Sequence, residues 1–306
     1  MIRPAALLLA VACWAQQPDV ANAPIRVTHV QGKVYLIASA GGNTTVQVGP
    51  EGILMVDTQF APLVPRIFAE IRKLPGAGGP LRYIVNTHIH PDHVGGNEAF
   101  AKLAPRSSVE PLKIMAYTTV LERLTKQPNV PESGLPVDEY FTPSRDFYFN
   151  GEGVVLHHEA NAHTDGDTVV HFRASDVVAT GDVFTPGRYP FLDLANGGGV
   201  QGEINALNHI LELTIPAHTQ EGGTMVIPGH GRVCDEADVV EFRDMVVIVR
   251  DRIRDMMKRG MTLDQVKAAK PSRDYDTEYS KPDSFVKPDQ FVEAIYRSLQ
   301  QEGAKK

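Results

Sequence analysis

Asn86-Thr87-His88-Ile89-His90-Pro91-Asp92-His93 places three imidazoles and one carboxylate within six residues, directly behind the apolar run Leu81 to Val85. That run has the length and composition of a buried strand. His88 and His90 are two apart, so in extended chain their side chains leave on one side. Pro91 pushes His90 towards β or polyproline geometry, which disfavours a helix here and leaves Asp92 and His93 in a turn facing the first pair. A lone histidine near a strand end is usually structural or solvated. Four donors this dense, followed by Gly95-Gly96, read instead as a metal site. Imidazole and carboxylate together suit a borderline divalent ion, zinc first among them. The helical His-Glu-x-x-His arrangement of metalloproteases does not occur in this chain.

A chain of 306 residues can bury a sizeable core. A formal net charge of -7 argues against a nucleic-acid surface, which needs a basic stripe. Residues 1–23 read as an export leader: Arg3 gives a positive start, Ala5 to Ala12 a short apolar core, and small residues follow. Ala10-Val11-Ala12-Cys13 also resembles an imperfect lipoprotein signal, with Cys13 as a lipid anchor. The expected location is therefore periplasmic or secreted. Behind the leader only Cys234 remains, which leaves no intramolecular disulfide and reads as a packed thiol.

Residues 26 to 57 read as β-structure, with a hairpin through Gly41-Gly42-Asn43. Leu63, Ile67, Ile71 and Leu74 mark a helix over Ala61 to Leu74. Beyond the metal cluster, Asn97 is expected to cap a short helix through Leu103, and Val109 to Lys126 is mostly helical in pattern. Tyr140 to Asn150 leads into a turn at Asn150-Gly151, and Val154 to Glu159 is a strand. A second hairpin, Thr168 to Arg173 with Val177 to Thr180, ends at Gly181-Asp182. A glycine-rich loop, an amphipathic helix over Gln201 to Leu213 and a last strand, Thr224 to Ile227, lead to His230. Residues 236–306 form a helical extension: a long helix from Glu236 to Arg259, a capping box at Thr262 to Gln265, and a final helix over Asp289 to Leu299. That extension shows no chemistry of its own. It is expected to pack on the domain or on a twin subunit, so that a homodimer is compatible with the sequence.

With these residues in view, the His-x-His-x-Asp-His pattern resembles the signature of the metallo-β-lactamase superfamily, mostly dinuclear zinc hydrolases. Asn161-Ala162-His163-Thr164, Thr180-Gly181-Asp182-Val183 and Pro228-Gly229-His230-Gly231 supply the later motifs in order. The resemblance implies a four-layer αββα sandwich over residues 24–235, with the first hairpin as a flap beside the site. It implies two zinc ions per chain: His88, His90 and His163 on the first, Asp92, His93 and His230 on the second, and Asp182 bridging. Asp57 matches a strand-end aspartate that supports the site from behind, although a simple helix-entry cap fits it equally. A water held between the two ions is available as hydroxide near neutral pH, and Asp92 is placed to orient it or to pass on its proton.

Lactamases of the family place cysteine or serine where Asp182 stands, and the cysteine forms carry a lysine at the position of Thr185. The implied reaction is therefore cleavage of an ester, thioester, lactone or amide of a small molecule. β-Lactam hydrolysis is one alternative; a non-catalytic metal-binding accessory of an exported oxidation system is another. Phe184, Arg188, Tyr189 and Phe191, which follow Asp182 closely, are candidates for the substrate wall.

Overall fold

The computed structural model describes residues 20–104 and 111–304; most of the leader-like segment, with Cys13, lies outside the described residues. Short, alternating apolar runs near the start form β1 (Arg26–Gln31), β2 (Val34–Ser39), β3 (Gly42–Gly49) and β4 (Gly52–Val56), each antiparallel to the next. Helix α1 (Val64–Ile71) crosses over to β5 (Leu81–Val85), which lies parallel to β4. The histidine-rich stretch from Asn86 to His93 then runs into α2 (Pro91–Val94) and α3 (Asn97–Leu103). Strand β6 (Lys113–Tyr117), helix α4 (Thr118–Leu124) and strand β7 (Asp138–Tyr140) complete a seven-stranded sheet in sequential order. The second sheet holds β8 (Ser144–Phe149), β9 (Glu152–Glu159), β10 (Asp167–Phe172), β11 (Val177–Gly181) and, after α5 (Val200–Leu213), β12 (Met225–Pro228).

Period-two alternation makes the layers. On β4, Leu54 and Val56 face Leu156, Val170 and Ala179 of the second sheet, while Ile53 and Met55 face Ile67 and Ile71 of α1. On β10, Val170 faces the first sheet and its neighbour Val169 faces Leu207 and Ile210 of α5. Two sheets back to back with helices on both outer faces are the expected αββα sandwich.

Helix α6 (Glu236–Lys258), α7 (Leu263–Ala269), α8 (Asp276–Tyr279) and α9 (Pro288–Ala304) follow. Both α6 and α7 open on capping boxes, Asp235 with Asp238 and Thr262 with Gln265. Phe242, Val246, Phe291 and Ile295 of this extension are buried with Ile204, Leu207 and Ile210 of α5, so the extension closes the outer face of the second sheet. No helix among the described residues is long and apolar enough to cross a membrane.

Four local expectations are corrected. Pro91 does not prevent a helix; it opens α2 at the first position, where a missing N–H costs nothing, while His90 before it stays extended at φ -66, ψ 148. Asn97 does not cap α3, because Gly96 takes that place and the Asn97 amide donates to Asn86 Oδ1 at 2.8 Å and to the Gly134 carbonyl at 2.9 Å. Val109 and Glu110 lie outside the described residues; beyond them, the helical pattern assigned to Val109 to Lys126 yields β6 before α4: Ile114, Met115 and Ala116 are buried where β6 pairs with β5 and β7, so sheet pairing overrides helical spacing. The hairpin between β2 and β3 turns at Ala40-Gly41, with Gly42 already paired to Ser39.

Gly202 in the first turn of α5 sits so close to the chain before His163 that an added Cβ would lie 1.9 Å from the Asn161 carbonyl oxygen. Gly202→Ala is expected to cost about 2 kcal/mol or more, because the contact is with backbone that cannot swing away. A urea titration with an unchanged midpoint would refute it.

Candidate metal centre

The site lies at the carboxyl ends of strands from both sheets, where ligands collect in open α/β folds. Asp57 follows β4, His88 and His90 follow β5, and Asp92 and His93 ride on α2. From the second sheet, His163 follows β9, Asp182 follows β11 and His230 follows β12. The two edges are stitched together by the Thr168 N–H donating to the Thr87 carbonyl and the Asn43 N–H donating to the Gly229 carbonyl, both at 2.8 Å. The tip of the first hairpin is wedged against the His230 loop; a Cβ on Gly42 would lie 2.8 Å from both Gly229 O and His230 Cε1.

Each of four imidazoles has one nitrogen beside a protein acceptor. His163 Nδ1 donates to the Phe191 carbonyl at 2.5 Å, and His90 Nε2 to Asp193 Oδ2 at 2.8 Å. His93 Nδ1 donates to Asp57 Oδ2 at 2.7 Å. Thr87 Oγ1 gives its proton to Asp57 Oδ2 at 2.7 Å and so accepts from His88 Nδ1 at 3.0 Å. In its neutral form each ring then carries a lone pair on the second nitrogen. His88 Nε2 and His163 Nε2 each stand 3.0 Å from His90 Nδ1, with no proton to share. His93 Nε2 and Asp182 Oδ1 face each other at 3.3 Å, both buried and without a hydrogen-bond partner. Lone pairs crowded in this way repel unless a metal ion or, at His93, a proton stands between them. The donor set therefore fits a metal.

Three trios bring their donor atoms within 4.8 Å of one another: His88, His90 and His163; His88, His93 and Asp182; and Asp92, His93 and His230. Asp182 Oδ2 lies 3.5 Å from His230 Nε2 and 3.9 Å from His163 Nε2, between the outer trios. The structure thus brings together all seven residues that the sequence nominated.

Electrostatics divide the cluster. Burial, reinforced by neighbouring imidazoles, holds His88 well below the ordinary histidine value, and burial lowers His163 to about 4. Both stay neutral, with lone pairs free, near pH 7. Burial also opposes charge on His93 and His230, but there carboxylates win. Asp182 and Asp57 raise His93 well above its usual value, and Asp182 with Asp92 raises His230 to about 9. Asp182 is itself driven well below the carboxylate range: burial works against ionisation, and His93 and His230 outweigh it.

Above this floor opens a cavity of ≈ 600 Å³. His90, Asp92, His163, Asp182 and His230 reach its base; Phe60, Pro91, Phe191 and Phe285 give it apolar walls; Thr185 and Arg188 add polar groups. Asp92 stands at the base with Oδ2 3.2 Å from His230 Nε2. Thr185 is buried, and its hydroxyl has no hydrogen-bond partner.

Of the four wall candidates, Arg188 and Phe191 line the cavity and Phe184 and Tyr189 do not. Phe184 is fully buried edge-on to Phe242 of α6, at 5.3 Å between ring centres. Tyr189 turns the other way, stacking on Phe291 at 4.5 Å and donating its hydroxyl to Asp276 Oδ1 at 2.7 Å. Aromatics separated by five residues in a loop gave no periodicity to tell wall from core. Sequence reasoning missed Asp193, Phe60 and Phe285. Asp193 belongs to no spacing pattern, and Phe285 lies in an extension read as free of chemistry. A signal for Phe60 was available, three residues after Asp57 at a strand end.

Comparison with known proteins agrees with this geometry. The profile of the Metallo-beta-lactamase superfamily matches residues 39–231. The chain belongs to that superfamily. It is 32% identical over 138 residues to a linear primary-alkylsulfatase of Pseudomonas sp., a match covering 44% of this chain and 24% of that protein. The chain thus matches about a quarter of that relative's length. Its fold is shared with the stereoselective inverting sec-alkylsulfatase of Pseudomonas sp., at a TM-score of 0.66 and 16% identity over 89% of this chain and 50% of that one. A metallo-beta-lactamase from Pontibacter korlensis aligns with a TM-score of 0.58 and 15% identity over 73% of this chain and 99% of its own.

Proposed function

We propose that this protein is a metal-dependent hydrolase that cleaves an ester bond of a small molecule with an apolar organic group and an anionic or polar head. One observation carries the reading: imidazole lone pairs and carboxylates from both sheets converge on the floor of an aromatic-walled cavity. In this reading His88, His90 and His163 would hold one ion, Asp92, His93 and His230 a second, and Asp182 would serve both. The mixed nitrogen and oxygen set favours zinc. Once bound, the metal pair supplies a water ionisable near neutral pH and a Lewis acid for the substrate oxygen.

The chain's own residues do the rest. Asp92, at the base of the cavity, is placed to hold or return a proton as the alcohol leaves. Thr185 offers a hydroxyl proton to a substrate oxygen, and Arg188 offers a guanidinium to an anionic head. The aromatic walls exclude water from the apolar group. Water adds across the ester bond, and the products are the alcohol and the free acid. Sulfate esters lie outside the bonds named from the sequence; the similarity to an alkylsulfatase and the guanidinium of Arg188 at the cavity support ranking them first. Carboxylic esters, lactones and thioesters come next.

The test is metal content of the purified protein together with turnover of an alkyl sulfate, a carboxylic ester, a lactone, a thioester and a penicillin. Bound zinc with sulfate or carboxylic ester turnover supports the reading, and stripping the metal should lower the melting temperature by roughly 5 °C or more. Efficient lactam opening with no ester cleavage would overturn it in favour of a lactamase. Metal without any turnover would overturn it in favour of the non-catalytic accessory.

A further inference from the structure

We propose that the C-terminal extension sets which apolar groups the site accepts, with Phe285 as the selecting side chain. The inference rests on the hydrolase reading and extends it to the substrate's organic half.

Phe285 is 73% exposed although the residues on either side, Ser284 and Val286, are buried. The segment holds this arrangement by its own bonds. The Lys281 N–H donates to Ser284 Oγ at 2.8 Å, the Ser284 N–H donates back to the Lys281 carbonyl at 3.0 Å, and Lys287 Nζ donates to the Pro282 carbonyl at 2.8 Å. A turn tied in this way holds its largest apolar side chain out of the core, over the cavity. There Phe285 meets Phe191 edge-on at 5.3 Å, and the Phe191 ring lies 5.8 Å from both His90 and His163. The aromatic pair thus runs from the solvent edge down to the metal-ligating rings. Phe60 and Pro91 line the same cavity.

Tyr189 keeps the two sides in register. Its backbone N–H donates to the Tyr279 carbonyl at 3.1 Å, and its hydroxyl reaches Asp276 and the Ser272 carbonyl. The loop carrying Arg188 and Phe191 is thereby fixed to the extension that carries Phe285. A head held at the metal floor and Arg188 would direct an unbranched alkyl chain along the Phe191–Phe285 pair. Longer chains gain contact there that short ones cannot reach.

The experiment compares zinc-loaded wild type, Phe285→Ala and Phe285→Trp on homologous alkyl sulfates and 4-nitrophenyl carboxylates from ethyl to decyl. Decyl sulfate binding is measured by calorimetry in parallel. Phe285→Ala is expected to lower the decyl-to-ethyl ratio of kcat/KM tenfold or more and to weaken decyl sulfate binding, while Phe285→Trp retains most of both. An unchanged ratio and unchanged decyl sulfate affinity in Phe285→Ala would overturn the inference and leave the hydrolase reading standing. If wild type cleaves neither series and neither the lactone nor the thioester, the hydrolase reading fails; decyl sulfate binding that drops in Phe285→Ala would still support the role of Phe285, and decyl sulfate binding unchanged by Phe285→Ala would refute that too.

Discussion

Asp182→Asn is expected to empty one metal position per chain and to cut turnover by about tenfold or more. Among the described residues, Asp182 is the carboxylate that faces both halves of the cluster, with Oδ2 3.9 Å from His163 Nε2 in one half, and with Oδ1 3.3 Å from His93 Nε2 and Oδ2 3.5 Å from His230 Nε2 in the other. Its charge offsets burial for both of those imidazoles. Asparagine keeps the size but removes the charge, and it turns one acceptor into an N–H donor aimed at ring nitrogens. The backbone leaves no room for compensation, since a Cβ on Gly229 would already lie 1.9 Å from Asp182 Oδ1. Metal analysis by mass spectrometry and kcat on the best ester read the two effects separately. Unchanged metal content and unchanged rate would remove Asp182 from the centre.

Asp57→Asn is expected to weaken metal affinity by about 10- to 100-fold with the fold retained. Asp57 would touch no metal directly. Its Oδ1 accepts the Thr87 N–H at 2.8 Å, while its Oδ2 accepts Thr87 Oγ1 and His93 Nδ1, both at 2.7 Å. One carboxylate therefore fixes the His93 ring directly and the His88 ring through Thr87. Asp57 sits at φ 63, a left-handed conformation that asparagine tolerates and alanine does not, so the asparagine variant isolates the side chain from the backbone. An amide cannot accept at both ends, so at least one buried donor loses its partner, at about 1–3 kcal/mol. A zinc titration against a competing chelator, with melting of the metal-free protein alongside, separates the two costs. A drop in metal-free stability with unchanged zinc affinity would reduce Asp57 to a structural cap.

What was legible from the sequence follows from how local each signal is. His88, His90, Asp92 and His93 declare themselves because four donors in six residues cannot all be incidental. His163, Asp182 and His230 carry no such density; their order along the chain became meaningful only through the family resemblance. The strand Leu81 to Val85 was read with its true limits because its apolar run ends at the site. Strand β6 was hidden because Ile114 and Met115 take their conformation from β5 and β7, not from their sequence neighbours. Asp193 and Phe285 escaped for the same reason. Each serves the site from a segment whose local pattern describes a loop, and only the packing of the second sheet and the extension brings it there.

The closure of α5 by α6 and α9 has a consequence for the chain as it is made. Translation delivers the second sheet and α5 well before the residues that cover them, at roughly 5–20 residues per second. For several seconds Ile204, Leu207 and Ile210 have no Phe291 or Ile295 to meet, and the nascent protein presents a sticky apolar stripe to its surroundings. Over that interval the polypeptide is a natural client for chaperones, and crowded synthesis would favour aggregation at this face.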